Sequence, residues 1–398
     1  MRVLIIHNSY QRPGGEDAAV RAEAAMLESG GHRVIRYFRS NDEIQLQTLA
    51  EKASMAARTM WSMEAYRAIR QLVRSERPDI AHCHNLFPLI STSAYSACRA
   101  EGIPVVQTLH NFRLLCPGGA LFREEETCEQ CLRMKSLLPG VIHGCYRGSR
   151  PATALLASMI SFHRRVGTWT ERVDAYIALS EFARRKFAEG GLPSSKLEVK
   201  TNVAPAQEKP RVVGDSAVYV GRLAPEKGLM TLLTAWKLAN ISNPLRIIGD
   251  GPLRSELEAE AARFGLNQVH FDGQLDHDSV LDAIRSSRFV VFPSECYENC
   301  PMAIIEAFSF GVPVIASRLG AAAEMVDDGQ TGRLFEAGNI AELARILTRS
   351  FANSQEIEFT GINARAEFER KYESTKNLKA LEQIYSRAVE RRKVAQLN

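Results

Sequence analysis

No apolar run in the 398-residue chain reaches the roughly 18 residues that a membrane-spanning helix needs, and the longest candidate, Ala152 to Phe162, is about half that. The opening Met1-Arg2-Val3-Leu4-Ile5-Ile6 carries one charge and too short an apolar stretch for a secretory leader. It reads as a first β-strand, and the chain is expected in the cytoplasm. Low-complexity tracts and short-period repeats are missing, and nothing matches a nucleic-acid module, since the arginines are not interleaved with aromatics that look exposed. Cysteine is sparse, with eight residues; in a reducing compartment these are thiols or metal ligands rather than disulfides. Neither charge sign dominates, and the net is +4.

The positive charge is unevenly spread. Residues 1–200 hold 27 Lys+Arg against 20 Asp+Glu, whereas residues 201–398 hold 23 against 26. A basic first half points to a polyanionic partner or an anionic membrane surface, or to a solvated surface with a chance excess. The length suits two domains. Short apolar runs alternate with longer amphipathic stretches, the pattern of α/β structure around parallel sheets. Strands are predicted at Val3–His7, Val34–Phe38, Ile80–His84, Val105–Leu109 and Ala175–Leu179. The second half repeats the plan at Val218–Val220, Leu245–Ile248, Val269–Phe271, Phe289–Phe292 and Val314–Ala316. Helices are predicted between them, including Gly15–Leu27, Met60–Arg74, Gly228–Ala239 and Pro301–Phe310. The expected layout is a first doubly wound domain over 1–203, a proline-bearing linker over 204–216, a second over 217–375, and a charged helix over 376–398 that returns to the first domain. Such domains bind ligands beyond the carboxyl ends of their strands.

The most informative run is Glu298-Asn299-Cys300-Pro301-Met302-Ala303-Ile304-Ile305-Glu306. Its first carboxylate sits in a loop after an apolar strand, and its second lies inside the following helix, whose start near Pro301 offers free N–H groups and a positive dipole end to a phosphate. Glu298 can accept hydrogen bonds from sugar hydroxyls and Glu306 from a ribose diol. Upstream, Gly221-Arg222-Leu223-Ala224-Pro225-Glu226-Lys227-Gly228 sets a planar guanidinium and a point charge close together between a strand and a helix, a pair able to clamp a diphosphate. Gly249-Asp250-Gly251 imitates a dinucleotide fingerprint but lacks the third glycine, which is Arg254. Asp276-His277-Asp278 could hold a divalent metal, but it precedes a helical stretch and reads better as a cap.

These motifs, followed by Gly311-Val312-Pro313-Val314, Gly320, Glu324, Gly329, Thr331 and Gly332, resemble the retaining family 4 glycosyltransferases. The two carboxylates fall on that family's E-x7-E signature. The resemblance implies two Rossmann-like domains of the GT-B type facing each other across a cleft. It also implies transfer of a sugar, with retention of anomeric configuration, from a UDP- or GDP-sugar to a glycan or polyprenyl-linked acceptor in surface polysaccharide synthesis. A sugar-nucleotide epimerase or another GT-B enzyme is the alternative. The implied catalytic residues are His110, Glu298, Arg222 and Lys227. The implied donor-binding residues are Gly14, Gly15, Arg222, Lys227, Gly251, Asn299, Met302 and Glu306. No cofactor or catalytic metal is implied. Two departures stand out: Asn299-Cys300-Pro301 replaces the Gly-Phe-Gly of relatives, which bears on donor identity, and Ala321-Ala322-Ala323 follows Gly320.

Two features fall outside that pattern. Cys116, Cys128, Cys131 and Cys145 have a spacing that suits a tetrahedral structural zinc, with four reduced thiols as the other reading. Ala57–Arg70 and Ile160–Val166 mix arginine with Trp, Met, Tyr and Phe at helical spacing. They can lie peripherally on an anionic bilayer at the inner face of the membrane, or form core-facing stripes with a basic edge.

Overall fold

The computed structural model describes residues 1–11, 14–44, 48–207 and 209–397. The chain divides into two compact units. The first comprises residues 1–121, 129–203 and 374–398, and the second 122–128 and 204–373.

The first unit holds a six-stranded parallel sheet of β1 (Arg2–Ser9), β2 (Arg33–Ser40), β3 (Ile80–Cys83), β4 (Val105–Leu109), β7 (Ala175–Ala178) and β8 (Leu197–Val199), in the order β2-β1-β3-β4-β7-β8. Val3 to Ile6 and all of β3 are buried because helices cover both faces, which is why these strands read as continuous apolar runs. The strand order reverses between β1 and β3, so their carboxyl ends, His7-Asn8 and His84-Asn85, flank a crevice of the kind that holds ligands in such sheets. The C-terminal helix Ser374–Leu397 belongs to this unit. It buries Leu381, Ile384, Tyr385 and Ala388, one stripe at helical spacing.

The second unit carries β9 (Ala217–Val220), β10 (Leu245–Ile248), β11 (Val269–Gly273), β12 (Phe289–Phe292), β13 (Val314–Ser317) and β14 (Gly332–Phe335), ordered β11-β10-β9-β12-β13-β14. This is the dinucleotide-fold order, with its switch point between β9 and β12. Leu229, Leu232, Leu233 and Trp236 of the helix Leu229–Ala239 seal one face of the sheet together with Leu343 and Leu347. A small antiparallel hairpin, β5 (Phe122–Arg123) with β6 (Glu126–Thr127), groups with this unit.

The ten expected strands form within a few residues of their predicted limits. Two edge strands, β8 and β14, were not anticipated: they are three and four residues long, and β14 opens on glycine. The expected helix Met60–Arg74 forms as Met63–Glu76, and a separate helix, Leu49–Met60, ends where it was expected to start. Ser62 breaks the run, because its hydroxyl accepts from the Ala65 N–H at 3.3 Å and starts the second helix. The helix expected from Pro301 runs from Met302 to Ser309; Pro301 stands one position earlier in extended backbone, where its missing N–H costs nothing.

Candidate active site

At the switch point of the second unit, the loops after β9 and β12 are laced together. The Glu295 N–H donates to the Glu226 carbonyl at 2.9 Å, and the Ser294 hydroxyl to the same carbonyl at 3.2 Å. This lacing brings Lys227 and Glu298, far apart in sequence, into a direct ion pair of half-buried side chains. Burial alone would depress the Lys227 ammonium, but the Glu298 carboxylate overrides it and holds the group above its ordinary range. Burial would raise the Glu298 carboxyl, yet Lys227 and the Ser294 hydroxyl at 3.2 Å keep it lowered. The Glu298 backbone is also fixed, since its carbonyl accepts from Ala321 N–H at 3.2 Å. Gly320, at φ +57°, permits that approach, because a Cβ there would stand 3.3 Å from the Glu298 nitrogen.

Arg222 behaves differently. Its guanidinium is exposed and pairs with Glu226 four residues on. Gly251 has a packing reason of its own, because a Cβ would lie 2.3 Å from the Leu223 carbonyl oxygen. The helix Met302–Ser309 begins with no side-chain cap and no acid in its first turn, leaving its amide end open to an anion. Asn299 is buried and Met302 half-buried beside that start. Glu306 is 7% exposed, with no hydrogen bond to its carboxylate among the described residues. Burial raises its carboxyl, with His277 pulling the other way. Asp276 caps an earlier helix, His277–Arg285, accepting from the N–H of Ser279 at 2.9 Å and from its hydroxyl at 2.7 Å.

In the first unit, β4 ends at Leu109 and His110 follows it into a recess lined in part by Glu16, His84, Asn111 and Arg113. Its Nε2 lies 2.9 Å from Nδ1 of His84. Gly14 precedes the helix Gly15–Ser29 in extended backbone, and no described residue would meet a Cβ there. Its N–H donates to Asp17 at 3.1 Å, so that donor is already engaged. Arg12 and Pro13 of the same loop lie outside the described residues.

Sequence reasoning passed over the buried polar cluster behind this recess. Glu23, His82, His84 and Lys200 are all nearly inaccessible, with Lys200 Nζ 2.9 Å from Glu23 Oε2. The available signal was Ile80-Ala81-His82-Cys83-His84, two histidines at the end of an otherwise apolar strand and at the period that sends them to one face. Glu23, inside the apolar stripe of the first helix, was the companion signal.

All eight cysteines are thiols. Cys116 and Cys145 lie near each other, since a Cβ on Gly118 would stand 3.7 Å from both Cys116 Sγ and Cys145 Cβ, and one on Gly140 would stand 3.5 Å from Cys131 Sγ. Cys128 ends the hairpin that groups with the second unit. Four thiols are the donor set zinc prefers, but among the described residues no three of these cysteines bring their sulfurs within 4.8 Å of one another.

Residues 13–203 match the family model described as Glycosyltransferase Family 4, and residues 204–367 match Glycosyl transferases group 1. The chain belongs to the group 1, family 4 glycosyltransferases. It is 32% identical over 153 residues to the D-rhamnosyltransferase WbpZ of Pseudomonas aeruginosa, a stretch covering 38% of this chain and 40% of that protein. The chain thus spans less than half of that relative's length. It is 25% identical over 376 residues to a phosphatidyl-myo-inositol mannosyltransferase of Mycobacterium leprae, covering 89% of this chain and 88% of the other. Among solved structures, Anabaena HepE in complex with UDP and glucose superposes with a TM-score of 0.68 at 19% identity, covering 97% of this chain and 99% of that one. Sucrose-phosphate synthase from Thermosynechococcus elongatus superposes with a TM-score of 0.70 at 16% identity, covering 97% and 98%. At these identities the superpositions establish the fold, two Rossmann-like units of the GT-B type.

Proposed function

We propose that this glycosyltransferase moves a sugar, with retention of configuration, from a nucleotide-diphosphate sugar to a glycan or lipid-linked acceptor. The observation that carries the reading is the Lys227–Glu298 pair beside an uncapped helix start, with Glu306 buried and unmatched one turn further on. A buried carboxylate without donors is costly, and a ribose diol supplies two. An ammonium fixed at the same switch point, together with the exposed charge of Arg222, neutralises a departing diphosphate. The acceptor hydroxyl then attacks the anomeric carbon on the face the diphosphate leaves, and a phosphate oxygen takes the hydroxyl proton. His110, at the end of β4, contacts the donor sugar. Gly14, where a Cβ would meet nothing within 4 Å, leaves room for ligand beside Gly15.

UDP is the first nucleotide to test, because HepE was solved with UDP and with UDP-glucose. Thermal shift against UDP-, GDP- and ADP-sugars identifies the base. NMR of the transferred sugar then reads the anomer: α from an α-donor supports retention, and β refutes it. Release of a C2-epimerised sugar without transfer to added acceptor would favour the epimerase reading. The chemistry is proposed to need no divalent metal.

The acceptor reading rests on exposed apolar side chains beside arginines. Trp61, Met63, Phe162 and Val166 all face solvent, although Ala65, Ile69 and Ile160 of the same stretches are buried in the core. Such a surface suits peripheral contact with an anionic bilayer. Among the described residues, no helix is long and apolar enough to cross one.

A further inference from the structure

Behind His110 runs a chain of buried polar groups that ends on a fixed charge. Glu23 is fully enclosed, and its Oε2 is paired with Lys200 at 2.9 Å. Burial would raise its carboxyl, but Lys200 and His82 hold it well below the carboxylate range, so Glu23 is an anion. Its Oε1 stands 3.4 Å from Nε2 of His84 and 3.1 Å from Nδ1 of His82. His82 is otherwise spoken for: Nδ1 lies 2.8 Å from the Tyr385 hydroxyl and Nε2 2.7 Å from that of Thr108. His84 Nδ1 meets His110 Nε2 at 2.9 Å. Burial pushes His84 down to about 3 and His110 down to about 4, so both rings are neutral near pH 7.

A neutral imidazole has one N–H and one lone pair. If the Nε2 of His84 were bare, its lone pair would face a buried carboxylate at 3.4 Å, too close for a water to fit between, an arrangement that a low-dielectric interior penalises. The proton therefore sits on Nε2 of His84, whose N–H dipole meets the Glu23 charge at 3.4 Å electrostatically, outside hydrogen-bond geometry. That leaves Nδ1 of His84 as an acceptor, and its neighbour at 2.9 Å must supply the hydrogen. His110 consequently carries its proton on Nε2, and its Nδ1 is a bare lone pair with no hydrogen-bond partner among the described residues.

We infer that Glu23 and His84 are positioning residues that lock His110 as the Nε2–H tautomer, so that it meets its ligand only as a hydrogen-bond acceptor. This rests on the proposed role of His110 at the donor sugar and adds the chemical sense of that contact: a sugar hydroxyl donates to Nδ1. The groups Glu23, His82 and His84 also lie within 4.8 Å of one another, a spacing a metal could bridge. Lys200 already supplies the positive charge there, and both nitrogens of His82 are engaged.

The test reads the tautomer directly. Long-range proton–nitrogen correlation on histidine-labelled whole protein, with His110 assigned by His110→Gln, should show a protonated Nε2 and a bare Nδ1. A protonated Nδ1 on His110 in the folded wild type overturns the inference, as does a divalent metal found bound with His82 and His84 as ligands. This measurement needs no turnover, so it stands apart from whether sugar transfer is detected. In kinetics, His84→Asn keeps an acceptor near the Nδ1 position and should stay within about 3-fold of wild-type kcat. His84→Leu removes it and should lose about 10- to 100-fold, the scale seen when a partner that orients a functional histidine is removed. Equal losses in the two variants, with the tautomer unchanged, would make His84 a packing residue and refute the positioning role.

Discussion

Replacing Lys227 by alanine probes the proposed chemistry most sharply, because the structure gives that ammonium two duties. One is to meet the leaving diphosphate, a charge-assisted contact that strengthens as negative charge develops and is worth roughly 2–4 kcal/mol of barrier. At about 1.4 kcal/mol per decade, turnover should fall about 30- to 1000-fold. The other duty is to hold Glu298 ionised. Burial raises that carboxyl and Lys227 is the main influence lowering it, so the variant leaves the half-buried Glu298 carboxylate with Ser294 and Cys296 as its side-chain donors among the described residues. The wild-type Glu298 carboxyl is depressed in the folded state. Its stabilising contribution is therefore present above the unfolded value of about 4.3 and disappears only as the pH falls through the lower folded value. In Lys227→Ala the direction reverses: the folded carboxyl rises, and an acid limb should enter the rate profile at higher pH than in wild type. The assay is the pH dependence of kcat and kcat/KM for wild type, Lys227→Ala, Glu298→Gln and the double variant. The two single losses should overlap, so that the double variant falls less far than their product. Near wild-type turnover in Lys227→Ala, or full additivity with an unmoved acid limb, would refute both duties.

Glu306→Gln should weaken nucleotide binding while stabilising the empty protein, because the raised carboxyl pays a burial cost at pH 7 that an amide avoids. A gain of about 1 kcal/mol would raise Tm by roughly 2–4 °C, and unchanged nucleotide affinity by calorimetry would remove Glu306 from the ribose role. Activity should survive EDTA added to chelate magnesium and manganese; loss that magnesium restores would show that metal serves the chemistry. About one zinc per chain by elemental analysis would show Cys116, Cys128, Cys131 and Cys145 to be ligands, and a stable metal-free protein would leave them as plain thiols. The chain should co-sediment with anionic but not neutral vesicles, and less so as salt shortens the screening length to about 10 Å at 0.1 M; failure with both vesicle types at low salt would favour a soluble acceptor.

Strand positions, the doubling of the α/β plan and the E-x7-E run were legible in one dimension, because parallel strands buried on both faces must be continuously apolar and because a helix start needs local residues around Pro301. Asp276 was readable as a cap for the same reason: its partners lie three residues away. What local pattern could not reach was pairing across the fold. Nothing near Lys227 in sequence foretells Glu298 as its partner; the lacing of the β9 and β12 loops creates that pair. Ser62 divides an apparently continuous amphipathic stretch, since helical period alone does not register a cap that costs one residue. The buried set of Glu23, His82, His84 and Lys200 stayed hidden because burial, not residue type, turns a surface acid and two ordinary histidines into a fixed charge and a proton order. Burial is decided only once β3, the first helix and the C-terminal helix, carrying Tyr385, have packed together.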